Sequence, residues 1–288
     1  MKIGILAFIT TETLDAATVA KKCEALGFES FFLPEHPIVP VHYATRYPTG
    51  EGTLPAAASH FGDQFVQLAL AAAATRTLKL GTGVCLLPEH NLFNLAKQVA
   101  TLDHYSGGRF IFGIGAGWLV EETEIMGADF RQRWPITREY VAAMKQLWTE
   151  PEATFTGEFI KFPPVHCYPK PLQKPYPPIH IGAGVGTKTL RARRDTVAMG
   201  DGWMALATPP DQLANDLAVL KKMCDEAGRD FSRIEISVTF PVVEGDPRQA
   251  MRRYRDAGCQ RLIFLPPTLA PDRVDEELEE LSRTYIRV

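Results

Sequence analysis

Short apolar runs alternate with amphipathic stretches along the whole chain. Ile3–Phe8 predicts a first strand and Leu14–Leu26 a helix closed by Gly27. Phe28–Pro34 predicts strand two, followed by a polar loop over about 37–62 that contains proline and glycine. The Ala- and Leu-rich segment Phe65–Thr75 is a helix and Leu78–Cys85 a third strand; Leu92–Tyr105 is a helix stopped by Ser106-Gly107-Gly108. Arg109–Ile114 is strand four, residues 116–133 are irregular, and Pro135–Trp148 is a helix. Within the Pro-rich stretch Glu152–Pro178, Thr154–Ile160 has the pattern of a β-hairpin arm and Pro163–Pro178 that of an extended surface connection. Ile179–Gly182, Gly202–Ala207, Ile234–Phe240 and Arg261–Pro266 supply strands five to eight. Helices follow them at Lys188–Met199, Asp211–Ala227, Pro247–Ala257 and Pro271–Tyr285.

The strands are apolar on both faces rather than alternating, the mark of parallel strands covered by helices. Eight such strand–helix units make a single (β/α)8 TIM barrel over residues 1–288, with insertions after strands two and four. An open doubly wound sheet ranks second, because Ile9-Thr10-Thr11-Glu12-Thr13 after strand one lacks the glycines of a dinucleotide-binding turn.

Composition narrows the partners more than the fold. A net charge of −3, from 31 basic and 34 acidic side chains, gives no reason to expect nucleic acid or an anionic membrane. No apolar stretch approaches the length of a membrane span, and the N-terminus passes from apolar to polar with no cleavage signal. The five cysteines (Cys23, Cys85, Cys167, Cys224 and Cys259) form no C-x-x-C pair, so the expectation is a cytoplasmic protein with neither disulfide framework nor metal site.

In a barrel of this kind chemistry belongs at the C-terminal strand ends. Strand two ends in Leu33-Pro34-Glu35-His36, strand three in Gly81-Thr82-Gly83-Val84-Cys85, strand four in Gly113-Ile114-Gly115-Ala116-Gly117-Trp118. Strand five ends in Gly182-Ala183-Gly184-Val185-Gly186-Thr187, directly before a helix. Glycines there make tight turns; three clusters on one face favour a flat ligand lying across the mouth. The Gly182–Thr187 turn offers backbone N–H groups and a helix N-terminus to a phosphate, with Thr187 as cap or hydroxyl donor. Arg191, Arg193 and Arg194, further along, have the pattern of solvated surface charges. His36 is the polar candidate for donating to a developing ring charge or moving a proton; the alternative is a histidine packed into its loop. The other histidines lack metal-ligand spacing, and His180, inside a strand, is structural. No lysine stands at a strand end as a Schiff base would require.

Several of these segments together resemble the luciferase-like monooxygenase superfamily, in its branch of probable coenzyme F420-dependent oxidoreductases. They are Phe31-Phe32-Leu33-Pro34-Glu35-His36, Leu80-Gly81-Thr82-Gly83-Val84, Leu102-Asp103-His104-Tyr105-Ser106-Gly107-Gly108-Arg109-Phe110 and Gly113–Trp118 with Glu121-Glu122. Gly200-Asp201-Gly202-Trp203 before strand six is also similar. The resemblance implies a barrel, usually a homodimer, with a deazaflavin or flavin ring over the mouth. It implies a non-proline cis peptide at Gly83-Val84. Glu35 and His36 would border the ring as catalytic groups, with Gly115, Ala116, Gly117 and Trp118 along the ring or its side chain. Gly182, Ala183, Gly184, Val185, Gly186 and Thr187 would hold the phosphate. The chain departs from the deazaflavin sugar-phosphate dehydrogenases of this superfamily in one respect. Where they carry a glutamate after strand four, Gly117-Trp118 stand here, with Glu121 or Glu122 as replacements at a different spacing.

The expected function is hydride transfer between coenzyme F420 and a small apolar or aromatic substrate. The first alternative is an FMN-dependent monooxygenase using reduced flavin and O2, with a flavin reductase or NAD(P)H as partner. The second is a flavin-binding barrel without turnover.

Overall fold

A computed structural model describes residues 1–47, 52–182 and 189–287. Eight parallel strands form the barrel wall: β1 (Lys2–Leu6), β2 (Ser30–Leu33), β3 (Lys79–Thr82), β5 (Phe110–Gly115), β8 (Ile179–Gly182), β9 (Gly202–Leu206), β10 (Glu235–Thr239) and β11 (Arg261–Phe264). They pair in the order β3-β2-β1-β11-β10-β9-β8-β5, and the β3–β5 pairing closes the ring. A TIM barrel is thus the architecture. The predicted third strand is interrupted, however. The peptide Gly83–Val84 is cis, and β4 (Cys85–Leu86) resumes the pairing with β5 beyond it.

The helices α1 (Ala16–Leu26), α2 (Gln64–Ala74), α3 (Leu92–Tyr105), α5 (Arg133–Thr149), α6 (Thr189–Met199), α7 (Pro210–Glu226), α8 (Pro247–Asp256) and α9 (Val274–Tyr285) surround the wall. Several begin on a side-chain cap: Asp15, Asp63, Asn91 and Asp246 each accept a backbone N–H of the first turn. One helix was not expected. α4 (Val120–Ile125) lies inside the segment predicted to be irregular; six residues without a side-chain cap leave little periodic signal. The Pro-rich stretch carries an antiparallel pair, β6 (Ala153–Thr156) and β7 (Lys161–Val165), so the hairpin's second arm takes in Pro163-Pro164. Among the described residues no helix is long and apolar enough to cross a membrane.

The main core lies between wall and helices, as the outward strand residues Ile3, Phe31, Leu80, Phe112, Ile181 and Leu262 pack on the helix ring. Inside the wall, Leu6, Phe32, Ile111, Met204 and Ile263 form a smaller plug. Below it the floor is charged. Arg261, 1% exposed, donates to both carboxylate oxygens of Glu29 at 2.8 and 2.9 Å and lies 3.1 Å from Glu235.

The Leu102–Arg109 motif also proves to be framework. Gly107 and Gly108 take φ of +75° and +73° and turn the chain from α3 into β5. That turn lets the Arg109 guanidinium reach Ala72, Thr75, Leu78 and Ser106. The buried Asp103 carboxylate accepts from the Gln173 backbone N–H and side-chain amide, fastening the Pro-rich stretch to α3.

Candidate active site

The C-terminal strand ends enclose a cavity of about 850 Å³, a volume suited to a bound cofactor with a small substrate. Glu35, His36, Gly83, Val84, Gly115, Ala116, Gly117, Trp118 and Gly182 all line it. Ala183 to Thr187, expected to complete a phosphate-binding turn, lie outside the described residues.

Val84 lines the cavity beside β5 and β8. A Cβ on Gly115 would come within 2.8 Å of one Val84 methyl, and a Cβ on Gly182 within 2.9 Å of the other. The two glycines therefore leave the width that Val84 occupies between β5 and β8, a reason for glycine there beyond turn-making.

His36 follows β2, with its side chain only 8% exposed. Its Nδ1 lies 2.8 Å from Oε2 of Glu122 on α4. The ring lies near-parallel to Phe61 at 6.3 Å and meets Trp118 edge-on at 5.7 Å, so its orientation is fixed on two sides. Nε2 has no hydrogen-bond partner among the described residues, and the side chain borders the cavity.

The carboxylates expected nearby divide their duties. Glu35 accepts the Leu86 N–H at 2.7 Å and lies 2.9 Å from His90 Nε2, while the Cys85 thiol is 3.5 Å from the same nitrogen. Burial opposes protonation of His90, but Glu35 outweighs it and raises the histidine's proton affinity. These three groups lie within 4.8 Å of one another, a spacing a metal ion would tolerate. They already satisfy each other, however, and together brace the loop after β4. Glu121 is spent on another loop, accepting from Ala44 N and from the Thr45 hydroxyl at 2.6 and 2.8 Å. Glu122 is thus the residue of that pair which reaches the cavity histidine, by way of the unexpected helix.

Behind Glu122 lies Glu89, from the single helical turn Leu87–Glu89. It is 4% exposed and accepts the Thr123 hydroxyl at 2.9 Å. Burial pushes its carboxyl up to about 8, with Glu122 adding to the effect and Thr123 opposing it. Sequence reasoning did not single out Glu89; nothing in a lone buried glutamate of a loop announces it.

The far end of the cavity is cationic. Arg133 donates to the carbonyls of Gly117 and Phe130 at 3.2 and 2.7 Å, and stacks over the Phe130 ring at 3.6 Å. Arg191 and Arg194 line the same end from α6. Both are exposed, as expected of surface charges, and among the described residues neither is paired with a carboxylate. Arg193 turns the other way, is buried, and pairs with Asp216. Arg194 also borders a surface cleft formed with Val197, Met223, Glu226 and Ala227.

Comparison with known proteins adds a family to this geometry. The family model described as luciferase-like monooxygenase matches residues 1–286. An uncharacterized protein of Mycobacterium tuberculosis is 33% identical over 286 residues, covering 98% of each chain. The F420-dependent glucose-6-phosphate dehydrogenase of Kineococcus radiotolerans is 30% identical over 247 residues, covering 83% of this chain and 67% of its own. Among solved structures, the monooxygenase RslO1 from Streptomyces bottropensis superposes with a TM-score of 0.77 at 21% identity, over 100% of this chain and 99% of that one.

Proposed function

Since the chain belongs to the luciferase-like monooxygenase family, we propose that it is an oxidoreductase dependent on coenzyme F420, acting on a small apolar or aromatic substrate. The observation that carries the cofactor choice is the cationic end formed by Arg133, Arg191 and Arg194, continued past Arg194 by a surface cleft. A deazaflavin brings both a phosphodiester and a glutamyl tail, and so needs cations and an outlet beyond the phosphate. FMN also brings an anionic phosphate but ends there, so it needs no outlet beyond it. The F420-dependent relative from Kineococcus radiotolerans supports the same choice.

The residues fit such a group. Val84, recessed between Gly115 and Gly182, leaves a flat apolar platform that a Cβ on either glycine would disturb. Phe8, Phe61, Trp118, Trp134 and Met204 line the same cavity and give it apolar surface for the face of a ring.

When bound, the deazaflavin supplies or accepts the hydride. The protein's part is to hold the reactants and manage a proton. Glu122 accepts from Nδ1–H of His36, which leaves Nε2 facing the cavity to donate to, or accept from, a reacting oxygen. Phe61 and Trp118 keep the imidazole aimed there. Glu35 in this reading positions the loop after β4, through Leu86 and His90, rather than touching the reacting atoms.

Titrating the purified protein with F420 and with FMN, followed by fluorescence, tests the choice. Saturable binding of F420, weakened by salt, is expected. Tight binding of FMN with none of F420 would overturn the cofactor reading and favour a monooxygenase.

A further inference from the structure

Glu89 and Glu122 are two buried carboxyl groups that the hydride chemistry does not by itself require. Each has one oxygen engaged and one orphaned. Glu89 Oε1 accepts from Thr123 and Glu122 Oε2 meets His36, while Glu89 Oε2 and Glu122 Oε1 are buried without a partner among the described residues. The residues are 4% and 1% exposed, so bulk solvent does not reach either carboxyl group.

Two full negative charges in such a place are costly, since each orphaned oxygen forfeits about 1–3 kcal/mol, and more when charged. The surroundings offer little relief. Glu122 and Thr123 face Glu89 from α4, and Glu35 at the end of β2 adds further negative charge. Arg133 comes near only through Gly117, whose carbonyl it binds. His36 is the one cation-forming group in contact with the pair, and it touches only Glu122.

We propose that Glu89 and Glu122 hold one proton between them in the neutral protein, carried on Glu89, so that Glu122 is the single carboxylate orienting His36. The proton turns an orphaned acceptor on Glu89 into a donor, and it removes one of the two charges. The resistance of Glu89 to ionisation, set by burial first and Glu122 second, agrees with this placement. So does Gly117. With φ of +82°, its Cβ would lie 2.9 Å from Glu89 Oε1 and 3.0 Å from the Thr123 hydroxyl. The space that a side chain after β5 would fill is taken from below by the Glu89 carboxyl, and the acid function of this site reaches His36 through α4. Glu89 is therefore a positioning residue, acting on His36 through Glu122.

The inference rests on His36 being the group that faces the reacting atoms, but its test needs no cofactor. Infrared difference spectra of the apoprotein between neutral pH and a pH above about 9 should show the carbonyl band of a buried carboxylic acid, lost on the alkaline side with a midpoint near 8. Glu89→Gln should abolish that band. In Glu122→Gln the like charge is gone, so the midpoint should move down by about one pH unit. The 15N shifts of His36 should carry a step at the same alkaline midpoint in the parent protein and none in Glu89→Gln. Absence of the band at neutral pH in the parent protein, or its persistence in Glu89→Gln, would overturn the proposal. So would an unmoved midpoint in Glu122→Gln, a measurement that stands even where Glu89→Gln fails to fold. Whether F420 or FMN binds leaves these results unchanged, so failure here is separable from failure of the cofactor reading.

Discussion

Glu122→Gln isolates what the negative charge behind His36 contributes. The replacement keeps the size of the side chain and an oxygen that can sit 2.8 Å from Nδ1, where Glu122 Oε2 lies now. It removes the charge. A hydrogen bond to a charged partner contributes about 1.5–3 kcal/mol against about 1 for a neutral one. At 1% exposure there is little solvent to screen the difference. A loss of about 1–2 kcal/mol in the transition state therefore corresponds to a roughly 5- to 30-fold slower hydride step. Ligand affinity should barely change, because Glu122 lies behind the histidine and out of reach of the cavity contents. The assay is stopped-flow reoxidation of reduced F420 by small quinone and ketone acceptors, paired with a fluorescence titration of F420. His36 15N shifts report the tautomer independently, and Glu122→Gln should weaken the bias towards the Nδ1–H form. An unchanged rate with an unchanged tautomer, or a loss confined to affinity, would refute the dyad.

The same structure gives further expectations. Arg191→Ala with Arg194→Ala removes two exposed cations from the cationic end of the cavity; F420 binding should weaken by up to about 10-fold, and less at high salt. FMN binding, measured by the same titration, should change less. Arg261→Met strands Glu29 and Glu235 on the barrel floor and should cost about 3–5 kcal/mol in urea unfolding. His180 is buried beside that network, and burial depresses its proton affinity from 6.5 to about 4. A depressed folded-state value means the stabilisation is complete above 6.5 and is lost as pH falls towards 4, about 3 kcal/mol in all. Melts across that window should show the loss, and His180→Gln should flatten it.

The barrel was legible because its strands are uninterrupted apolar runs set off by capped helices, and burial on both faces leaves that pattern wherever it occurs. The glycine-rich strand ends were legible for the same reason, since close approach admits few other residues. What the sequence could not carry was direction. Glu35 and His36 are neighbours, yet one points to Leu86 and His90 and the other to Glu122. His36 and Glu122 are 86 positions apart, joined by a six-residue helix too short to leave a periodic trace. Of the long motif from Leu102 to Trp118, the first half ties α3 to β5 and the Pro-rich stretch, while Gly115, Gly117 and Trp118 line the cavity. A motif can identify a family through its scaffold while the chemistry rests on contacts that no local pattern encodes.

The two ends of the barrel make that distinction physical. At the floor the carboxylates around Arg261 meet full cations: Glu29 meets Arg261, and Glu235 meets Arg261 and Lys2. Burial there opposes ionisation of Glu235, but the cations outweigh it and hold the carboxyl down at about 2. At the mouth Glu89 and Glu122 are more deeply buried, yet their partners are a hydroxyl and a histidine, and two of their oxygens have none. Stability alone would favour the floor's solution at both ends, because an uncompensated buried carboxyl lowers the folding free energy. A fold that gives Glu29 and Glu235 full cations at one end and leaves Glu89 and Glu122 short of them at the other retains that cost where a proton has to be held loosely enough to respond. The imbalance lies behind His36, the one histidine among the described residues that lines the cavity, so a change in the charge of the pair is felt first at that imidazole.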